Sequence, residues 1–226
     1  MWGLGRRLSH LRRCEFGGEL YPNLGELRAV RWTVESVERR GGDKAAKFPA
    51  FGPISPVRAE KTVTLAGHAP VLRMQYEVTG LGPLPLDFIW GTHPALGAAS
   101  HTILRIPGRK GIVGQASDAT LGVPGQRYSW PILETGTGRT DMSRVPGIEA
   151  KVFCGHYVTD LEAGWFAAED TETGESVLFQ FPKDVCPWLW LWLDYGGWRG
   201  YHNVIIEPWT SCPVNLAEAV RQKTRS

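Results

Sequence analysis

The stretch Trp188-Leu-Trp-Leu-Trp-Leu193 decides the fold class of this 226-residue chain. Side chains of a β-strand alternate between its two faces, so the three Trp share one face and the three Leu share the other. Both faces are apolar, which predicts a central strand that is covered on both sides. An indole face can pack in a core or stack on the C–H face of a sugar ring, and for each of these Trp both interpretations stay open.

Outward from this stretch, the chain consists of strand-length segments separated by Gly and Pro. Leu72–Val78 alternates most clearly, with its apolar residues on one face and its polar residues on the face that meets water. Strands at short spacing with no helices between them predict an antiparallel sandwich or barrel of the all-β class. The other predicted strands are Val30–Glu38, Glu60–Leu65, Leu86–Trp90, His101–Ile106, Val152–Val158, Gly164–Ala168, Ser176–Phe181 and Tyr201–Glu207.

Two further regions complete the predicted organisation. Asn215 can cap a short C-terminal helix that starts at Leu216 and runs to Lys223, with Glu218 at the third helical position. Residues Gly108–Gly147 lack an apolar pattern, and we expect long loops there. We predict a single domain over residues 1–226, with residues 1–16 either disordered or a remnant.

Composition excludes several classes of protein. The formal net charge of +2 gives no basic field for nucleic acid, and 42% hydrophobic residues argue against a disordered chain. The longest apolar run is shorter than the ~20 residues of a membrane helix. The four Cys are far apart and form no metal-ligand spacing, so we expect no metal site, no cofactor and a cytoplasmic location.

Histidine and carboxylate side chains are then the candidates for chemistry. His93 follows an apolar segment and precedes a Pro, and Glu207 ends the run Val204-Ile-Ile before Pro208. A carboxylate drawn toward the interior has a raised pKa and becomes a better base near neutral pH. Each residue also has a purely structural interpretation, His93 as a hydrogen-bonded core histidine and Glu207 as a hydrogen-bonded strand-end carboxylate.

Taken together, the two segments resemble a known family. FIWGTHPALG followed by HTILRIPG is similar to the strand that carries the catalytic His of aldose 1-epimerase (galactose mutarotase)-like proteins. PWLWLWLDYGGWRGYHNVIIEPWTSCPVNLAEAV is similar to that family's C-terminal signature, and GGELYPNLGELR to its first loop. The resemblance implies an antiparallel β-supersandwich with a sugar cleft on one sheet.

The resemblance also implies roles for individual residues. His93 matches the general acid that protonates the ring oxygen of the sugar, and Glu207 matches the general base on the anomeric hydroxyl. Trp90, Tyr195 and Trp209 lie close to this pair in sequence, and we expect them to contact a monosaccharide or a sugar phosphate. A sugar ring between the pair would hold the His93 and Glu207 side chains about a ring's width apart, out of direct contact.

Two departures from the family keep other functions open. Leu24 stands where the resemblance leads us to expect a second His, and we expect the family's N-terminal strands to be missing. A non-catalytic carbohydrate-binding sandwich and an inactive, structural or partner-binding remnant therefore compete with the enzyme. Missing strands would also expose a sheet edge, through which the chain could form a homo-oligomer.

Overall fold

The computed structural model describes residues 13–212 and 215–222, which fall into two compact units. The N-terminal unit holds residues 13–88 and 215–217, and the C-terminal unit holds residues 89–212 and 218–222. The single-domain expectation for the whole chain stays a prediction. Of the segment predicted to be disordered or a remnant, residues 1–12 lie outside the described residues and Cys14–Phe16 forms a strand, so for this segment the remnant alternative stays a prediction.

The N-terminal unit is built from two antiparallel sheets. A two-stranded hairpin pairs β1 with β2, and a four-stranded sheet has the order β3-β4-β5-β6. Between these sheets in the chain lies a 3₁₀ turn, Glu26–Arg28. The six strands are β1 (Cys14–Phe16), β2 (Glu19–Tyr21), β3 (Ser36–Arg40), β4 (Asp43–Phe51), β5 (Val57–Leu65) and β6 (Leu72–Gly80).

Strand β4 was not predicted, because it contains Ala45, Ala46 and Pro49, and Ala and Pro are depleted in strands. Pro49 is tolerated because β3 pairs only with the first half of β4, up to Lys47, so that within the described residues no strand pairs with that side of β4 at Pro49. The strand predicted over Val30–Glu38 is wrong for its first six residues, since β3 begins at Ser36.

The C-terminal unit is an antiparallel sandwich of a large and a small sheet. The eight-stranded sheet has the order β12-β11-β10-β9-β13-β16-β17-β7, and the three-stranded sheet has the order β15-β14-β8. The strands are β7 (Ala95–Gly97), β8 (Thr102–Arg105), β9 (Lys110–Ala116), β10 (Arg127–Ser129), β11 (Ile132–Thr135), β12 (Gly138–Asp141), β13 (Val152–Thr159), β14 (Trp165–Asp170), β15 (Ser176–Gln180), β16 (Trp188–Tyr195) and β17 (His202–Trp209).

The core of this unit lies on the leucine face of β16. Leu189, Leu191 and Leu193 are fully buried in one cluster with Leu104 and Phe166 of the small sheet. Each such side chain contributes ~1.5–3 kcal/mol by leaving water. The predicted separation of a leucine face from a tryptophan face, with both faces covered, is confirmed.

The long loops expected over Gly108–Gly147 are instead interrupted by four strands, because β9 to β12 all fall in that range. Two glycines that resemble turn signals lie inside β9, under aromatic rings of neighbouring strands. A Cβ at Gly111 would overlap the ring of Tyr128, and a Cβ at Gly114 would press on Tyr157. Glycine is therefore present here for close packing, which a search for turn residues misses.

The C-terminal helix α1 (Leu216–Arg221) follows Asn215 as predicted. Lys223, to which the predicted helix extended, lies outside the described residues. Two more 3₁₀ turns, Ala119–Leu121 and Ile148–Ala150, belong to the C-terminal unit. No helix within the described ranges is both long enough and apolar enough to cross a membrane.

Candidate functional site

The register of the large sheet brings His93 and Glu207 together. Strand β7 pairs with β17 through Ala95 opposite Ile205, and an isolated bridge places Gly91 opposite Trp209. His93 and Glu207 lie midway between these two pairs and are therefore directly opposite each other. Side chains at opposite positions point to the same face, so the two residues share one face of the sheet.

The chain segment that carries His93 is held beside β17 by hydrogen bonds on both sides of the bridge. The Thr210 amide donates to the Trp90 carbonyl (2.8 Å), and the Trp90 amide donates to Thr210 Oγ1 (3.0 Å). The Thr92 amide donates to the Pro208 carbonyl (3.2 Å). Only an isolated bridge forms in this segment, and the strand predicted over Leu86–Trp90 is wrong.

Glu207 is a buried carboxyl group with two polar neighbours. It is 2% exposed, and its Oε2 accepts a hydrogen bond from the Trp209 indole N–H (3.0 Å). Its other oxygen, Oε1, lies 3.9 Å from His93 Nε2, and the His93 side chain is 46% exposed. The pair therefore consists of one buried carboxyl group and one imidazole that reaches solvent.

Burial raises the pKa of Glu207 to about 8, although the hydrogen bond from Trp209 acts in the opposite direction. Desolvation disfavours the charged form of a carboxyl group, and it dominates here. A carboxyl group that changes charge near neutral pH is suited to proton transfer.

A cluster of three aromatic side chains holds Glu207 in position. The ring of Trp190, directly opposite Glu207 on β16, stacks on Trp209 with centroids 4.4 Å apart, and Tyr157 meets Trp190 edge-on at 5.7 Å. Gly91 permits this arrangement, because a Cβ there would overlap the Trp209 ring. Tyr157 and Gly91 were not identified from the sequence, although the alternation of β16 had already placed Trp190 on this face.

The structure does not bring Tyr195 to this site. It is 2% exposed and lies in the core cluster, on the opposite face of β16 from Glu207. Proximity in sequence suggested a site role, but the alternation that separates Trp190 from Leu191 also places Tyr195 on the leucine face. The expectation that Tyr195 contacts a ligand alongside Glu207 is therefore corrected.

The distance between His93 and Glu207 also differs from expectation. A separation of a ring's width was predicted, whereas Nε2 and Oε1 are 3.9 Å apart. The expectation assumed a sugar lying between the two groups. The ring oxygen and the anomeric hydroxyl of an aldose are both bonded to the same carbon, so a close acid–base pair reaches both from one edge of the sugar.

A second histidine of this unit, His156, has a structural environment. His156 is fully buried, with Nδ1 2.9 Å from the Tyr128 hydroxyl and Nε2 3.1 Å from the Leu121 carbonyl oxygen. Burial lowers the pKa of His156 to about 4.

Within residues 13–212 and 215–222, no group of three or more His, Cys, Asp or Glu side chains is arranged to hold a metal ion.

Several solved structures resemble this chain in three dimensions. A protein from Klebsiella pneumoniae, provisionally assigned as an aldose 1-epimerase, matches 95% of the chain with a TM-score of 0.69 and 13% identity. The Slr1438 protein of Synechocystis matches 96% with a TM-score of 0.68 and 16% identity. A protein from Escherichia coli K12 with the same provisional assignment matches 91% with a TM-score of 0.63 and 15% identity.

The match covers only part of the larger neighbours. The chain spans 55% of the Klebsiella protein, 68% of the Synechocystis protein and 71% of the E. coli protein. No protein-family model matches the sequence, and no curated protein sequence matches it. At these identities the likeness shows architecture alone: the chain has the antiparallel β-sandwich fold of aldose 1-epimerase-like proteins, as its sequence resemblance predicts.

Proposed function

We propose that this protein interconverts the α and β anomers of an aldose by acid–base catalysed ring opening. The observation that carries the proposal is the buried carboxyl group of Glu207, 3.9 Å from the partly exposed imidazole of His93 on one face of the sheet. The fold shared with aldose 1-epimerase-like proteins supports the same reaction class. A fold alone does not establish a reaction, whereas the His93–Glu207 pair offers both a proton donor and a proton acceptor for this one.

In the proposed reaction the two side chains move protons in opposite directions. The Glu207 carboxylate takes the proton of the anomeric hydroxyl while the His93 imidazolium gives a proton to the ring oxygen, and the bond between the anomeric carbon and the ring oxygen breaks. Rotation about the adjacent carbon–carbon bond turns the aldehyde. Reversing both transfers closes the ring on the other face and restores both side chains.

The chemistry needs one proton on the pair, since an acid and a base must both be present. Because burial raises the pKa of Glu207 to about 8, the pair keeps this proton up to about pH 8. We therefore expect the rate to fall as the pH rises through about 8 and the last proton is lost from the pair.

The surrounding aromatic residues have separate proposed roles. Trp209 is 6% exposed and donates a hydrogen bond to Glu207. Its proposed role is therefore to orient the base, and little of its ring is left to contact a sugar. Trp90 is partly exposed and is fixed beside β17, which suits it for contact with a sugar or sugar phosphate. The cytoplasmic location stays a prediction.

A sugar-binding protein without catalysis is the second candidate. It is favoured by Leu24, which stands where the family resemblance leads us to expect a second His. In that case His93 and Glu207 would only hydrogen-bond sugar hydroxyls. Such a protein would change its Trp fluorescence on adding sugar without accelerating mutarotation.

The test is initial-rate polarimetry of freshly dissolved anomers, over a panel of aldoses and their 6-phosphates. We expect Glu207→Gln to lose about 10²–10⁴-fold in rate and His93→Asn to lose less, because water can partly replace the acid. Exposed Glu134 provides the matched control, and Glu134→Gln should keep the wild-type rate. Melting curves verify folding, and a folded Glu207→Gln protein with the wild-type rate would refute the role of Glu207 as base.

A further inference from the structure

The four-stranded sheet of the N-terminal unit ends in a long unpaired edge. Strand β6 pairs with β5 over nine consecutive residue pairs without a register shift, and in the described residues no strand follows it. Alternate backbone N–H and C=O groups of such a strand point away from the sheet. Edges of this kind are commonly protected by Pro, by bulges or by short length, and β6 has none of these.

The polar face of β6 carries one cation and one anion that lack a counterpart among the described strands of this sheet. Arg73 and Glu77 are both exposed, and across β5 they face Thr64 and Glu60. Glu60 is already paired with Lys47 at 2.7 Å and Arg58 at 2.7 Å. Glu77 therefore lies opposite a second carboxylate, that of Glu60, which already holds both neighbouring cations. An additional cation beside β6 would reduce the repulsion between the two carboxylates.

We propose that β6 pairs with β6 of a second copy of this chain, antiparallel and centred on Gln75. In this register Arg73 of each copy lies opposite Glu77 of the other, which forms two cross-strand ion pairs around the two-fold axis. Moving the axis by one residue either way puts Arg73 opposite an uncharged residue. Moving it by two sets Arg73 against Arg73 or Glu77 against Glu77.

The apolar face of the same strand agrees with this register. Leu72 is 56% exposed and Met74 is 46% exposed, although both lie on the apolar side of the sheet. Centring on Gln75 sets Leu72 opposite Val78 of the second copy, and Met74 opposite Tyr76. Two four-stranded sheets thereby become one eight-stranded sheet with a continuous apolar face, and exposed apolar side chains gain neighbours across the axis.

The pairing is independent of the proposed sugar chemistry and is tested by charge reversal at the edge. The experiment is sedimentation velocity of the full-length protein over a concentration series. Arg73→Glu and Glu77→Arg should each raise the dimer dissociation constant by about tenfold or more, because attractive pairs become repulsive. The double variant R73E/E77R should restore association, because the exchanged charges again face each other across the axis.

The matched control is Glu38→Arg on β3, the other edge of the same sheet, which should leave association unchanged. Circular dichroism and melting curves establish that each variant is folded. Backbone amides of β6 should exchange more slowly with deuterium at concentrations where the dimer forms. A wild-type protein that stays monomeric, single variants that associate as tightly as wild type, or a double variant as weak as the singles would each overturn the proposal.

Discussion

Replacing Glu207 by Gln should stabilise the protein at alkaline pH. The pKa of Glu207 is about 8 in the folded protein, against an ordinary value of 4.5, because the side chain is buried. The folded state therefore holds a proton that the unfolded state releases between these two pH values. Linkage then requires the stability of the wild-type protein to fall as the pH rises through this window.

The size of the effect follows from the pKa difference. Each pKa unit corresponds to ~1.4 kcal/mol, so an ionised Glu207 costs the folded state up to about 5 kcal/mol above pH 8. At pH 5.5 only ~1.4 kcal/mol of this cost is present. The Gln side chain of the variant does not titrate, and its carbonyl oxygen can still accept the Trp209 N–H that now bonds to Glu207 Oε2.

The assay is urea unfolding of both proteins at pH 5.5 and at pH 8.5, followed by Trp fluorescence. Relative to wild type, the free energy of unfolding of Glu207→Gln should increase by about 3 kcal/mol between the two pH values. Subtracting the two proteins removes the pH dependence that they share, and the exposed Glu134→Gln variant should show no such change. A difference between wild type and Glu207→Gln that is the same at both pH values would refute a raised pKa at Glu207.

Two further predictions concern Gly91, which lies beside the site, and His156, which is buried on the leucine face of the large sheet. Gly91→Ala should displace the Trp209 ring, which would alter Trp fluorescence and destabilise the protein by ~1–3 kcal/mol in urea unfolding, as overpacking does; unchanged spectra and stability would contradict the observed packing. His156→Gln should remove a pH dependence, because burial lowers the pKa of His156 from 6.5 to about 4 and the wild type therefore loses about 3 kcal/mol as the pH falls through that range. If the free energy of unfolding of wild type and of His156→Gln falls equally over that pH range, His156 does not titrate in it.

The large-scale features of the fold could be predicted because they depend on strong local patterns. The tryptophan–leucine alternation of Trp188–Leu193 defines a central strand, and the run Val204–Glu207 defines its neighbour. Missed elements have weak local patterns for physical reasons. Strand β4 contains Pro49 at a point where it lacks one neighbour, and β9 contains glycines that accommodate aromatic rings of other strands.

The site shows the same division between local and long-range information. The residue types at positions 93 and 207 and their places near strand ends were visible in the sequence. Their separation was not, because it depends on the register between β7 and β17. The expectation for Tyr195 was wrong for the opposite reason, because here the sequence did contain the information. The alternation along β16 already located Tyr195 on the core face.

The register makes the candidate site robust to most side-chain changes but sensitive to the length of one short segment. Gly91 is fixed opposite Trp209, and Ala95 is fixed opposite Ile205, by backbone pairing. With three residues between these anchors, the central one falls on the face of Glu207. Removing or adding one residue there would transfer the His93 side chain to the opposite face, because facing alternates with a period of two. The relative position of His93 and Glu207 is thus determined by the backbone pairing, and the proposed chemistry depends on which side chains occupy these two opposite positions.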